Sequence, residues 1–221
     1  MLWAWELPED LRFMQTPDAG VAFLATSLLL RNDSVLVRRR MQPLRVAPNV
    51  PRMAVFRIDS DRQGRPTFSA GQRAAAVDEI ESVFRLTGVS AIQIDFDARA
   101  SERAFYRLLL QDLRSRLGRS VFLSITALVS WCGAGSWLNG LPVDEIVPML
   151  FRLGPEGPKT LYTIDQGGTF PAKECRDAWG LSLDEPPPSA APPKRVYVFN
   201  SRPWTPASVH LALSQNRNKP Q

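Results

Sequence analysis

Apolar positions in this chain recur mostly at every second residue, in short runs separated by turns. The clearest run is Ala91-Ile-Gln-Ile-Asp-Phe-Asp97, where Ile92, Ile94 and Phe96 alternate with Gln93, Asp95 and Asp97. A period of two puts the three polar side chains on one face of a strand. The same reading predicts strands at Leu2–Glu6, Gly20–Leu30, Met53–Asp59, Val121–Leu128, Glu145–Phe151, Ala178–Asp184 and Lys194–Asn200. Val35–Val46 alternates loosely and also reads as strand, since Pro43 and Pro48 forbid a long helix. Helical spacing is found in Gly71–Leu86, through Ala76, Val77, Ile80, Val83 and Phe84, and in Ser101–Leu117, through Phe105, Leu108, Leu109, Leu113 and Leu117. Shorter helices are predicted at Leu11–Gln15, opened by Pro8 and Asp10, at Ala172–Asp177, and at Thr205–Ser214, with Thr205 as N-cap and Pro206 at the first position. Glycine and proline make 154–158 and 167–171 irregular and 186–193 a stiff connection, Trp131–Leu141 reads as a loop, and the tail 215–221 is expected to be disordered.

Eight principal strands, most followed by a helix or a substitute for one, predict an α/β fold. The expected architecture is a compact (β/α)8 TIM-barrel-like domain over residues 1–214, with the helices after the second and seventh strands minimal or replaced. The rival is an open doubly wound sheet, which would want a glycine-rich phosphate turn after the first strand; there is none.

A barrel builds its sites at the C-terminal ends of its strands. Glu6, Asp59, Asp95, Asp97, Thr126, Asp184, Glu185 and Asn200 fall at such ends, with Gln93 one step deeper beside Asp95, and Trp131, Trp137 and Trp204 in the loops beyond. Carboxylates below and indoles around a rim suit a sugar: acids for the glycosidic bond, aromatic planes for the apolar ring faces. Any one of these acids could instead sit in a structural ion pair, with Arg57 or Arg152 the obvious partners. Asp95 and Asp97 share a face two residues apart, so like-charge repulsion and burial should raise the pKa of one of them. Trp3 and Trp5 are expected to pack against helices rather than face a ligand.

Composition narrows the partners. The 221 residues are 22% charged and 44% hydrophobic, as in ordinary globular proteins. The net charge of +5 comes almost wholly from arginine, and the arginines are scattered apart from Arg38–Arg40, so nucleic acid is not the expected partner. Cys132 and Cys175 fit no metal spacing and are expected near opposite ends of the barrel, unpaired. No metal or other cofactor is expected, and no apolar run reaches membrane-span length. The lone histidine, His210, falls in the last helix, away from any triad at the barrel mouth. With a strand starting at Leu2, the chain as written reads as cytoplasmic, or as periplasmic or secreted if a leader precedes it.

Two resemblances rest on these residues. Ser90-Ala-Ile-Gln-Ile-Asp-Phe-Asp97 resembles the fourth-strand signature of family-18, chitinase-type glycosidases, Asp-Gly-x-Asp-x-Asp-x-Glu. In that register Asp97 falls at the general-acid glutamate, Asp95 at the neighbouring aspartate and Gln93 at the inner aspartate. Ser124-Ile-Thr and Val147–Phe151 then match the fifth and sixth strands. Phe151 stands where those enzymes place a tyrosine that positions the acetamido group, which argues against substrate-assisted hydrolysis of an N-acetylated sugar. By analogy with other barrel glycosidases, Asp184 or Glu185 would then supply the second carboxylate. Across nearly the whole chain, Trp-Ala-Trp-Glu, Gln-Ile-Asp-Phe-Asp-Ala-Arg, Leu-Ser-Ile-Thr-Ala-Leu and Val-Pro-Met-Leu-Phe also resemble an uncharacterised bacterial family, domain of unknown function 3142. That resemblance is the closer one; it implies no activity, though its members often look exported. Three readings follow: a glycoside-hydrolase-like barrel using carboxylate acid/base chemistry, a non-catalytic glycan-binding barrel, and, least favoured, a basic nucleic-acid-binding domain.

Overall fold

Eight of these runs close on one another. In the computed structural model, which describes residues 1–15, 19–155 and 157–215, the barrel strands are β1 (Leu2–Ala4), β3 (Val21–Arg31), β6 (Arg52–Ser60), β7 (Ala91–Phe96), β8 (Phe122–Leu128), β9 (Glu145–Met149), β10 (Ala178–Ser182) and β11 (Arg195–Phe199). Each is parallel to its neighbours, and β1 pairs both β11, at Val198, and β3, at Val21, Ala22 and Phe23, so the ring is complete. Closure leaves no open edge among these eight.

The short β1 covers only the first residues of the eleven-residue β3. Beyond it the same edge is taken by β4 (Ser34–Arg39), antiparallel from Thr26 to Arg31. The single strand expected over Val35–Val46 therefore divides. Its first part covers β3, and after Pro43 its last part becomes β5 (Leu44–Val46).

The partner of β5 corrects another expectation. Residues predicted to begin a helix at Leu11 instead form β2 (Glu9–Leu11), parallel to β5, with fully buried Leu11 at its end. Asp10 caps no helix; it is ion-paired with Arg12 and Arg45. A single helical turn has little cooperativity of its own, and the β5 backbone, distant in sequence, offers a competing ladder.

Helices flank only part of the ring. α1 (Ala70–Thr87) is capped by Ser69, which accepts from the Gln72 N–H, and ends at Gly88 in the left-handed region. α2 (Arg103–Leu117) turns its buried residues Phe105, Tyr106, Leu109, Leu110 and Leu113 to the barrel. α3 (Gly157–Asp165) lies where glycine and proline predicted irregular chain. Gly157 and Pro158 occupy its first turn, where missing N–H donors are tolerated. α4 (Pro206–Gln215) closes the chain as expected. The rest of the predicted tail, 216–221, lies outside the described residues.

Between β8 and β9 a short turn, Val129–Cys132, replaces the helix, and a second, Lys173–Cys175, stands in place of the helix predicted at Ala172–Asp177. Both pack on β9. This joins the two cysteines that were expected apart: Cys132 and Cys175 form a disulfide, their Cα atoms 5.9 Å apart. With no helix between β8 and β9, Cys132 stays beside the segment that approaches β10, where the Ala172 N–H donates to the Cys132 carbonyl at 3.1 Å.

Two apolar layers follow from the alternation. Ile92, Ile94 and Phe96 join the layer between strands and helices, whereas Trp3, Ala22, Met53, Val55, Val147, Ala178 and Tyr197 fill the barrel. Trp3 therefore faces inward, not against a helix as expected. It fits because residue 180 is glycine: a Cβ there would lie 2.9 Å from Trp3 Cη2. Gly180→Ala is expected to destabilise the fold by about 1–3 kcal/mol through overpacking. Urea denaturation with tryptophan fluorescence checks this, and an unchanged midpoint would mean that Trp3 has room to move.

Candidate active site

Register places the site. Arg57 on β6 pairs with Asp95 on β7, one step above Val55 and Gln93, while Gln93 pairs with Ser124 on β8. Period two carries Gln93, Asp95 and Asp97 up one inner face as predicted. Gln93 lies deepest, fully buried; its Oε1 accepts from Trp3 Nε1 at 2.7 Å and its Nε2 donates to Ser124 Oγ at 3.1 Å. Ser124 Oγ in turn donates to Glu145 Oε2, which also accepts from the Tyr197 hydroxyl at 2.6 Å, while Arg195 donates to the other oxygen. A continuous polar chain thus runs up the barrel and ends on the Trp3 indole.

Above it lies a cleft of about 810 Å3, lined by Trp3, Trp5, Arg57, Asp95, Asp97, Thr126, Met149, Phe151, Arg152 and Phe199 together with the turns after β8 and β9. Phe151 and Phe199 stack with planes 3° apart, Trp3 meets Phe151 edge-on, and the Arg152 guanidinium lies over the Phe199 ring. Asp95 is buried with both oxygens occupied: Thr126 Oγ1 donates to one at 2.7 Å and Arg57 Nη1 to the other at 2.9 Å. Burial pushes the Asp95 carboxyl up, against the pull of Arg57 and Thr126. Arg57 also holds Asp59 through Nε and Nη2. Burial alone would lower the Arg57 pKa; the hydrogen bond to Asp59 and the charges of Asp95, Asp59 and Asp97 reverse this and raise it.

Asp97 stands at the rim and, among the described residues, forms neither an ion pair nor a hydrogen bond. Its pKa is pushed up to about 6, first by partial burial and then by the charge of Asp95, with Asp59 adding and Arg57 opposing. Loss of water and a nearby like charge both disfavour a second carboxylate. Neighbouring Arg57 directs its hydrogen bonds to Asp95 and Asp59, and none reaches Asp97.

The other expected residues lie elsewhere. Glu6 pairs with Arg38 at the exposed end of β1. Asp184 accepts from Ser201 Oγ at 2.9 Å in the turn after β10, Glu185 accepts from the Arg152 N–H at 2.9 Å, and neither lines the cleft. That turn ends the alternation at Ser182, so strand period no longer aims the side chains inward. Asn200 accepts locally from the Arg202 N–H. Trp131 is 3% exposed and packs on Trp137, and Trp204 is 5% exposed, its Nε1 donating to the Trp3 carbonyl. The aromatic surface comes from Phe151, which the sequence placed at the site, and from Trp3, Trp5 and Phe199, which it did not. Their signal was present in strand alternation, but with Ala4 buried as well, a three-residue strand does not say which face is inside.

No family model matches the sequence, and no curated protein does; the resemblance to the uncharacterised bacterial family rests on the motifs alone. Solved structures do match. A family-18 chitinase from Pseudoalteromonas aurantia superposes with a TM-score of 0.60 at 10% identity, over 97% of this chain and 99% of that one. A protein from Streptomyces coelicolor assigned provisionally as chitinase A gives 0.50 at 11%, over 99% and 85%. The spore cortex-lytic enzyme SleL of Bacillus cereus gives 0.49 at 17%, over 99% and 58%. The fold is that of a TIM barrel.

Proposed function

We propose that this chain is a glycosidase-type barrel acting on a glycan, with Asp97 as the proton donor. The observation that carries this reading is the pairing of two carboxyls in unlike surroundings. Asp95, its pKa raised by burial, has both oxygens held by Arg57 and Thr126, whereas Asp97, without a cation in contact, has its pKa pushed up to about 6. The sugar rings lie on the apolar surfaces of Trp3, Trp5, Phe151 and Phe199. Asp97 protonates the leaving oxygen as the C–O bond breaks, Asp95, held by Arg57 and Thr126, faces the positive charge that develops, and the proton released by the attacking water returns to Asp97. The disulfide supports an oxidising compartment as the place of work.

Hydrolysis should need protonated Asp97, so release of reducing ends from a polysaccharide panel is expected to fall as pH rises through about 6. Asp95→Asn removes a charge that raises the Asp97 pKa, so the same limb should move to lower pH. A limb that stays in place in Asp95→Asn would sink the assignment of Asp97 as donor.

A second reading, a barrel that binds glycans without cleaving them, is favoured by the placement of Asp184 and Glu185. The cleft lining holds no carboxylate besides Asp95 and Asp97 among the described residues. Tight binding with no reducing ends released would select it.

A further inference from the structure

We propose that a small polar pocket beside Asp97 is a subsite for a negatively charged substituent of the glycan, a carboxylate or a sulfate ester, held by Arg62 and Arg99. This rests on the glycan reading of the main cleft. The pocket, about 240 Å3, opens between the ends of β6 and β7 and shares Arg57 and Asp97 with the cleft, so a chain lying across Asp97 can place a side group in it.

The charges around it are unevenly satisfied. Arg57 is taken by Asp59 and Asp95. Of the acids, Asp59 is paired with Arg57, and the Glu102 carboxylate accepts from the Arg99 N–H at 2.8 Å. Arg62 and Arg99 form no ion pair among the described residues, and Ser60 Oγ, also in the lining, is buried without a hydrogen-bond partner. Two unpaired guanidinium groups and a spare hydroxyl suit an oxyanion, since the guanidinium fork matches carboxylate and sulfate geometry. A neutral hydroxyl of a sugar would leave both cations without a counter-charge. The anion also suits the proton donor: beside protonated Asp97 it meets no repulsion, and once seated it holds that proton more firmly.

Calorimetry with hexamers of galacturonate, of sulfated galactan and of neutral galactan tests the subsite. At least one anionic hexamer is expected to bind about tenfold or more tightly than the neutral one, the effect of a charged hydrogen-bonded pair. Which of the two gains identifies the substituent. The double variant Arg62→Gln/Arg99→Gln should lose this preference and keep the neutral affinity; an unchanged preference in the variant, or none in the wild type, overturns the subsite. A second measurement is independent of sugar recognition: NMR titration of the Asp97 carboxyl in sodium sulfate or galacturonate monomer against chloride of equal ionic strength. An upward shift with either anion, absent in the double variant, supports the subsite, and its absence overturns it. If no hexamer binds at all, the glycan reading fails, and this titration alone decides whether the pocket takes an oxyanion.

Discussion

Asp97→Asn is expected to lower glycan hydrolysis by about 10²–10⁴-fold while leaving glycan affinity near that of the wild type. Asparagine keeps the shape of the side chain at the end of β7 but cannot deliver a proton to a leaving oxygen. Affinity should survive because the aromatic surfaces that would hold the rings are contributed by other strands. The substitution also removes one of the charges near Arg57, which keeps Asp59 and Asp95, so the fold should not suffer. The check is turnover and binding measured on the same preparation. Equal loss of both would mean that Asp97 only shapes the cleft, and full retention of turnover would end its role as the acid.

Opening the Cys132–Cys175 bridge is expected to cost about 4 kcal/mol, the chain entropy regained by a loop of some forty residues. The sequence separation is 43. The loop contains β9 and α3, and Val129, Ser130 and Gly133 beside Cys132 line the cleft. Glycan affinity should therefore fall together with stability. Urea denaturation of the oxidised protein against Cys132→Ala/Cys175→Ala measures the first effect, and calorimetry the second. A double variant with the wild-type midpoint would show that packing on β9 alone holds the two turns.

The two effects come from different levels of the molecule. Asp97 is a matter of local alternation. From Ile92 to Asp97, side chains that are apolar on one face and polar on the other leave one arrangement that buries Ile92, Ile94 and Phe96 under helices and aims Gln93, Asp95 and Asp97 inward. The same logic makes the eight strands legible and, with short connections between them, the barrel. α1 and α2 were equally plain, because their apolar residues recur at helical spacing and Ser69 caps the first.

What could not be read there depends on contacts far apart in sequence. Leu11 becomes strand because Leu44–Val46 lies beside it, and the cysteines meet because the short turns that carry them, one before β9 and one before β10, both pack on β9. In the site, strand period aimed Asp95 and Asp97 but said nothing of Asp184 and Glu185, which follow the last strand residue, Ser182, where the period ends. The sequence named Arg57 as a possible partner of the acids without saying that Arg57 would bind Asp59 and Asp95 and leave Asp97 with no cation in contact. Alternation along one strand is a local property, set by backbone geometry. The choice of partner across strands, and with it the charge and pKa of each acid, exists only once the barrel has closed.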